Sequence, residues 1–346
     1  VQLMRAGELV DARVRRFAAW IVLAASLLSA AVGRADTRSD ELVVRLSPDG
    51  PVFSLAEAIA TVERQYQGQP HVRILVEPGL YQDNTAILEL SSPSIRSYTI
   101  VAENGAAVFD GSGTVLRTRD FTWLALRGQH GQATNVTIKG LTIRNYRQAI
   151  LLYGSKHNYE RWNGFNTISS NKFERIGLFI DLPIKSYSAI MLINSRNNLI
   201  SDNTFTDVKN YNYCRGMHSI YLRTYSSWNM IRDNVFNIGC GDPIKFRDSS
   251  NYNLVIGNRF ESQAGPGLVV DSYCVSKEGA CRTVECPSFG NVVENSIVDS
   301  AGDGEIVPHL TRTVGPSSLS HCPTPDAVRL QDVGSTAGAP ASQAGP

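Results

Sequence analysis

The feature that most constrains this chain is an eight-residue phrase repeated through its middle. It occurs with Asn166, Asn171 and Phe173, with Asn198, Asn203 and Phe205, with Asn229, Asn234 and Phe236, with Asn253, Asn258 and Phe260, and with Gly290, Asn295 and Ile297. Successive copies are 32, 31, 24 and 37 residues apart, and a weaker copy runs from Asn135 to Ile143. A second phrase precedes four of them: Ala149-Ile150-Leu151-Leu152, Ala189-Ile190-Met191-Leu192, Ser219-Ile220-Tyr221-Leu222 and Pro243-Ile244-Lys245-Phe246, with Gly267-Leu268-Val269-Val270 continuing the column. Each period therefore holds two or three short alternating strands joined by Asn, Ser and Gly turns. None is long enough to fold alone, and helical periodicity is absent. Stacking solves this: one period makes one coil, and coils pair strand to strand at about 4.8 Å. The expected fold is all-β, a parallel β-helix (solenoid) with inward Ile and Leu. The repeated Asn should form an internal ladder to turn backbones above and below. A leucine-rich horseshoe would need regular Leu-x-x-Leu-x-Leu spacing, which is missing.

Composition narrows the function classes. Lys and Arg number 33 against 32 Asp and Glu, so no basic excess points to nucleic acid. Charged residues are 19%, too few for a disordered polyelectrolyte or a long coiled coil. Arg13, Arg15 and Arg16 precede an apolar stretch at 17–32, followed by Gly33 and Ala35. This is the layout of a secretory signal peptide over residues 1–35, short of the ~20 residues that span a bilayer. The expectation is a secreted or periplasmic monomer with no membrane span after cleavage. Six cysteines, Cys214, Cys240, Cys274, Cys281, Cys286 and Cys322, then read as disulfides, with Cys214 and Cys240 candidates to link adjacent loops. Residues 36–313 read as the solenoid and 314–346 as a polar, partly disordered tail, with Cys322 tying its start to the body.

With these residues the chain resembles the right-handed parallel β-helix, pectin-lyase-like superfamily over roughly residues 45–310. The N-terminal part fits that resemblance. Ser54 and Glu57 look like a capping box opening a short amphipathic helix over 55–62, which in this superfamily plugs the first coil. Val72 to Tyr81 looks like the first-coil strand and turn. The fold signal covers many chemistries and names none.

Reading the second phrase in columns exposes a local change. The inward columns are Ile150, Ile190, Ile220, Ile244, Leu268 and Leu152, Leu192, Leu222, Phe246, Val270. The outward ones are Leu151, Met191, Tyr221, Lys245, Val269 and Tyr153, Ile193, Arg223, Arg247, Asp271. A flanking column holds Gln148, Ser188, His218, Asp242 and Pro266. Polar groups concentrate on neighbouring coils: His218, Tyr221 and Arg223, then Asp242, Lys245 and Arg247, then Asp271. Strict alternation leaves His218 at a strand edge, facing a turn. Solvated surface ion pairs are the plain alternative for this patch. Adjacent Arg223 and Arg247 repel, however, and an anionic ligand would relieve that. Tyr153, Trp162, Asp248 and Asp271 are candidate substrate contacts. No metal site is assigned. Asp202, Asp233 and Glu294 would suit Ca2+, against the simpler reading as a solvated face.

The superfamily resemblance implies an acidic polysaccharide as partner and β-elimination as chemistry. A base removes the proton beside the uronate carboxylate while cations neutralise that carboxylate, and an acid protonates the leaving oxygen. In that scheme His218 or Lys245 is the base, tuned by Asp242, with Arg223 and Arg247 on the carboxylate and Tyr221 as acid. A glycoside hydrolase using pairs among Asp242, Asp248 and Asp271, a uronate C5-epimerase, or a non-catalytic glycan-binding scaffold are the alternatives.

Overall fold

A computed structural model describes residues 40–90, 94–112, 122–128, 131–177, 187–210, 214–263, 268–273 and 285–299, with short pieces at 305–306, 311–312 and 322. The signal segment, Cys274, Cys281 and nearly all of the tail lie outside the described residues. Among these residues the chain is a right-handed parallel β-helix with three long sheets of nine, eight and nine strands and a two-stranded pair, Asn163–Gly164 with Ser195–Arg196. One sheet runs from Glu41–Leu46 through Thr167–Ser169, Leu199–Ser201, Met230–Arg232 and Leu254–Ile256 to Val292–Glu294. The second, which matters for function, carries Thr122–Arg127, Gln148–Tyr153, Ser188–Ile193, His218–Arg223, Ile244–Arg247 and Val269–Asp271 in that order.

Short strands hold because their turns are bonded from inside. Asn166 donates through Nδ2 to Asn198 Oδ1 at 2.8 Å, Asn198 to Asn229 at 2.7 Å, Asn229 to Asn253 at 2.9 Å, and Asn253 to Asn291 at 3.0 Å. Each Oδ1 also accepts the backbone N–H of the preceding coil's Asn. A second ladder runs Asn171, Asn203, Asn234 and Asn258 in the same manner and ends on the Ser296 hydroxyl. Between the ladders the core is aliphatic, with a continuous stack of Phe173, Phe205, Phe236 and Phe260 at centroid separations of 4.9, 5.0 and 5.0 Å.

The last copy departs from the expected alignment by one residue. Leu254 pairs with Val292, so Asn291 and Ser296, not Gly290 and Asn295, take the ladder positions. Gly290 and Asn295 instead turn the chain at positive φ, 65° and 48°. The same slip affects the second sheet, where Ile244 pairs with Val269 and Phe246 with Asp271. Val269, not Leu268, fills the inward column, and Asp271 lies level with Phe246 rather than with Arg247. A one-residue shift exchanges the two faces of a strand, so the expected outward placement of Asp271 is corrected.

The N-terminal helix is Leu55–Gln65, and its Leu55, Ala58, Ile59 and Val62 close the first coil's core. Ser54 Oγ accepts the Glu57 N–H at 3.1 Å. The Glu57 carboxylate accepts from Thr61 and Arg64 instead of returning to Ser54, so this is an N-cap and not a full box. Cys214 is bonded to Cys240 and Cys286 to Cys322, which ties the start of the tail to the body.

Asn203 is the ladder's most informative rung. Its Oδ1 accepts from the Asn171 N–H and side chain, while its Nδ2 donates to Ile168 O and Asn234 Oδ1. Asn203→Leu strands several buried partners at about 1–3 kcal/mol each. The denaturation midpoint should fall sharply, and Asn203→Asp, which keeps the acceptor and loses the donor, should fall less.

Candidate active site

The site is built on the outward side of the second sheet. Register places Met191 beside Tyr221 and Ile193 beside Arg223. The next strand brings Lys245 beside Tyr221 and Arg247 beside Arg223. The preceding coils carry Leu151 and Tyr153 at these positions, so Tyr153 lies two coils before Arg223.

His218 reaches this side through a kink. Ala189 and Ile190 both enter the core, as do Ala149 with Ile150 and Trp123 with Leu124. Two successive inward residues break the alternation, and the position before them swings outward. Gln148, Ser188 and His218 occupy it, linked by Gln148 Nε2 donating to Ser188 Oγ at 3.4 Å and by Ser188–His218 register. The His218 ring meets Tyr221 edge-on with centroids 5.1 Å apart. His218 Nδ1 lies 2.8 Å from the Asp242 carbonyl oxygen. A carbonyl only accepts, so Nδ1 carries the hydrogen and Nε2 the lone pair.

Charge is layered. Lys245 Nζ is 3.8 Å from Asp242 Oδ2, and Arg247 Nε donates to Glu285 Oε2 at 2.6 Å. The Lys245 and Arg247 side chains retain 17% and 29% of their exposure against 6% for both Asp242 and Glu285, so the reachable groups are the cations. Arg223 is half-buried, and its Nε is buried without a hydrogen-bond partner. Arg247 Nη1 donates to the Tyr221 hydroxyl at 3.4 Å, and Arg223 lies 6.0 Å from that ring's centre.

Burial sets the protonation states. It pushes His218 down to about 3, assisted by Lys245 and Arg247 and opposed by the Asp242 carbonyl. It lowers Lys245, with Asp242 opposing. It raises Tyr221, with Arg247 and Arg223 opposing. Asp248 is raised by burial and by Glu285, while its carboxylate accepts from the Cys286 N–H and the Thr224 hydroxyl.

Several expectations change here. His218, Tyr221 and Asp242 are gathered as the columns require, yet all are buried rather than lining an open groove. Asp271 is buried as well, level with Phe246, and helps keep Lys245 charged. Trp162 is buried against Phe165 at a 6.0 Å centroid separation, so it offers no exposed sugar platform. Glu285 was not anticipated: it sits on a connection outside every strand column and neutralises part of the Arg223–Arg247 repulsion. Only its neighbour Cys286, bonded to Cys322, hinted that this connection is fixed. Asp202 and Asp233 sit in positive-φ turns, with Asp233 paired to Arg232 at 2.5 Å, which is the solvated face.

A buried neutral histidine carries a stability signature. The unfolded side chain takes up a proton below 6.5, whereas the folded one resists until about 3. Stability contributed by His218 is therefore intact above 6.5 and falls progressively as pH drops towards 3, at up to about 1.4 kcal/mol per pH unit. The groups facing it are Tyr221, Asp242, Lys245 and Arg247. Denaturation midpoints between pH 7 and 4 should fall less steeply in His218→Gln than in the parent.

The family profile described as periplasmic copper-binding protein (NosD) matches residues 88–303, more than half of the chain. Pectate lyase Pel9A is similar in structure at 12% identity and a TM-score of 0.42, over 77% of this chain and 81% of that one. A pectate lyase from Xanthomonas campestris is similar at 13% identity and 0.36, over 86% and 93%. A tailspike protein of E. coli bacteriophage HK620 in complex with a pentasaccharide is similar at 12% and 0.43, over 78% and 44%. The curated proteins contain no match to this sequence.

Proposed function

This chain belongs to the periplasmic copper-binding protein (NosD) family, and we propose that within it the chain is an exported β-helix that cleaves an acidic polysaccharide by β-elimination. The observation that carries the reading is the cationic layer: Lys245, Arg223 and Arg247 in register on adjacent strands, reachable above buried acids.

The chemistry follows from the positions. The half-exposed guanidinium groups of Arg223 and Arg247, in register on adjacent strands, hold a uronate carboxylate and stabilise the charge that develops when the adjacent carbon loses its proton. Lys245 takes that proton, since burial favours its neutral form. The carbon's electron pair forms the new double bond, and the bond to the leaving oxygen breaks. Tyr221, kept protonated by burial, protonates that oxygen. His218, with Nδ1 committed to Asp242 and a strongly depressed basicity, is better suited to positioning Tyr221 than to acting as base.

The family description names copper, and the described residues do not fit such a centre. Among them no group of three or more His, Cys, Asp or Glu could hold a metal ion, and every described cysteine is in a disulfide. No step is therefore routed through copper.

One observation favours a second reading. Asp248 is raised by burial and by the charge of Glu285, which suits the protonated acid that glycoside hydrolysis needs.

Incubation with polygalacturonate and alginate separates the two. Elimination leaves an unsaturated sugar seen by its ultraviolet absorbance, whereas hydrolysis gives new reducing ends without it. Lys245→Ala and Arg223→Ala should each lower kcat/KM by about a hundredfold or more while the fold persists. Full activity in both variants removes the proposed site.

A further inference from the structure

The turn that leads into the first Asn ladder contains a second, unassigned feature. In successive coils the residue before the ladder position is Asn135, Phe165, Asn197, Trp228, Tyr252 and Gly290, and all six have positive φ, between 49° and 65°. Asn and Gly adopt this region readily. Bulky side chains do so at a cost and are genuine outliers there. Three of the six positions nevertheless carry aromatic residues, and Phe165 and Trp228 are 43% and 37% exposed. Positive φ recurs at other turns, such as Thr224, Tyr225 and Ile238, so it is the file of exposed rings along one edge that points to a ligand.

The ridge has an internal order. Trp228 and Tyr252 stack with centroids 4.6 Å apart and planes 19° off parallel, about one strand spacing along the solenoid axis. Gly290 makes room for this stack, because a Cβ there would lie 2.3 Å from the Tyr252 ring. On its other side Trp228 looks across the coil of Asn197 towards Phe165, two strand spacings or about 10 Å away along the axis. The half-buried Asn197 lies in the interval with an amide that both donates and accepts.

We propose that Phe165, Asn197 and Trp228 form a saccharide-binding ridge, in which the C–H face of a sugar ring stacks on Trp228 while Asn197 bonds its hydroxyls. An aromatic–amide–aromatic file suits a ring with one apolar face and a polar rim. The ridge also follows the cationic strands around the same two coils: Trp228 comes five residues after Arg223 and Tyr252 five after Arg247. A chain crossing these coils would meet the cations first and the aromatics next. The proposal rests on the glycan-active reading above, but not on cleavage.

The test replaces Trp228 and Phe165 separately with Asn, the residue used at the same turn position in the intervening coil. The full chain and both variants are titrated calorimetrically with oligogalacturonates, alginate oligosaccharides and neutral cello-oligosaccharides. Intrinsic fluorescence is followed in parallel, since the other described tryptophans, Trp123 and Trp162, are buried. The parent should bind at least one probe with a change in emission. Each variant should bind it about tenfold more weakly or worse, with a melting temperature equal to or above the parent's. Unchanged affinity in both variants, or no binding of any probe by the parent, overturns the proposal. So does a dimeric parent that Trp228→Asn turns into a monomer without altering sugar affinity, because the ridge would then seat a second copy. If Trp228-dependent binding persists and no polymer is cleaved, the elimination reading falls and the ridge stands. If Lys245-dependent cleavage occurs and the ridge variants bind normally, the ridge alone falls.

Discussion

Everything in this solenoid depends on satisfying backbone groups at the corners of very short strands. A three-residue strand such as Leu199–Ser201 contributes few hydrogen bonds of its own. The Asn ladders supply the rest, each Oδ1 accepting two bonds from the coil before and each Nδ2 donating one to the coil after. Because the Asn side chain has a fixed reach, this also sets the register of the coils from Asn166 onward. Register in turn decides which side chains share the outer wall. The placement of Tyr221 beside Lys245, and of Arg223 beside Arg247, is thus a consequence of the ladder rather than of the charged residues themselves, which repel.

That burden frees the outer face for chemistry and lets it carry unfavourable arrangements. Lys245 is partly desolvated, His218 is held neutral, and two guanidinium groups are neighbours across a strand pair. The cost is offset locally by Asp242 and Glu285 and globally by a continuous aliphatic and phenylalanine core. The aromatic turn residues at positive φ are a further unfavourable arrangement tolerated on the same scaffold.

The columns through the coil of Ile244–Arg247 were legible in the sequence because apolar alternation and Asn spacing agree there. At the next coil the columns slip by one residue in two separate places: Gly290-Asn291 offers two candidates for one ladder position, and Leu268-Val269 offers two apolar candidates for one inward position, the second of which sets Asp271 level with Phe246. Strict alternation leaves His218 at a strand edge, so its place beside Tyr221 is only weakly encoded in the columns. The kink that swings it outward follows from paired inward residues such as Ala189 and Ile190. Glu285 was invisible because a carboxylate on a connection has no column to betray it. The burial of Trp162 was equally hidden, since a sequence shows that an aromatic is present but not which neighbours cover it.

The most direct test of the central claim is a crystal structure of Lys245→Ala soaked with an oligouronate. The account predicts a sugar carboxylate between the guanidinium groups of Arg223 and Arg247, and a leaving oxygen facing Tyr221. An oligouronate bound only elsewhere, with Arg223 and Arg247 contacting protein carboxylates alone, would contradict it.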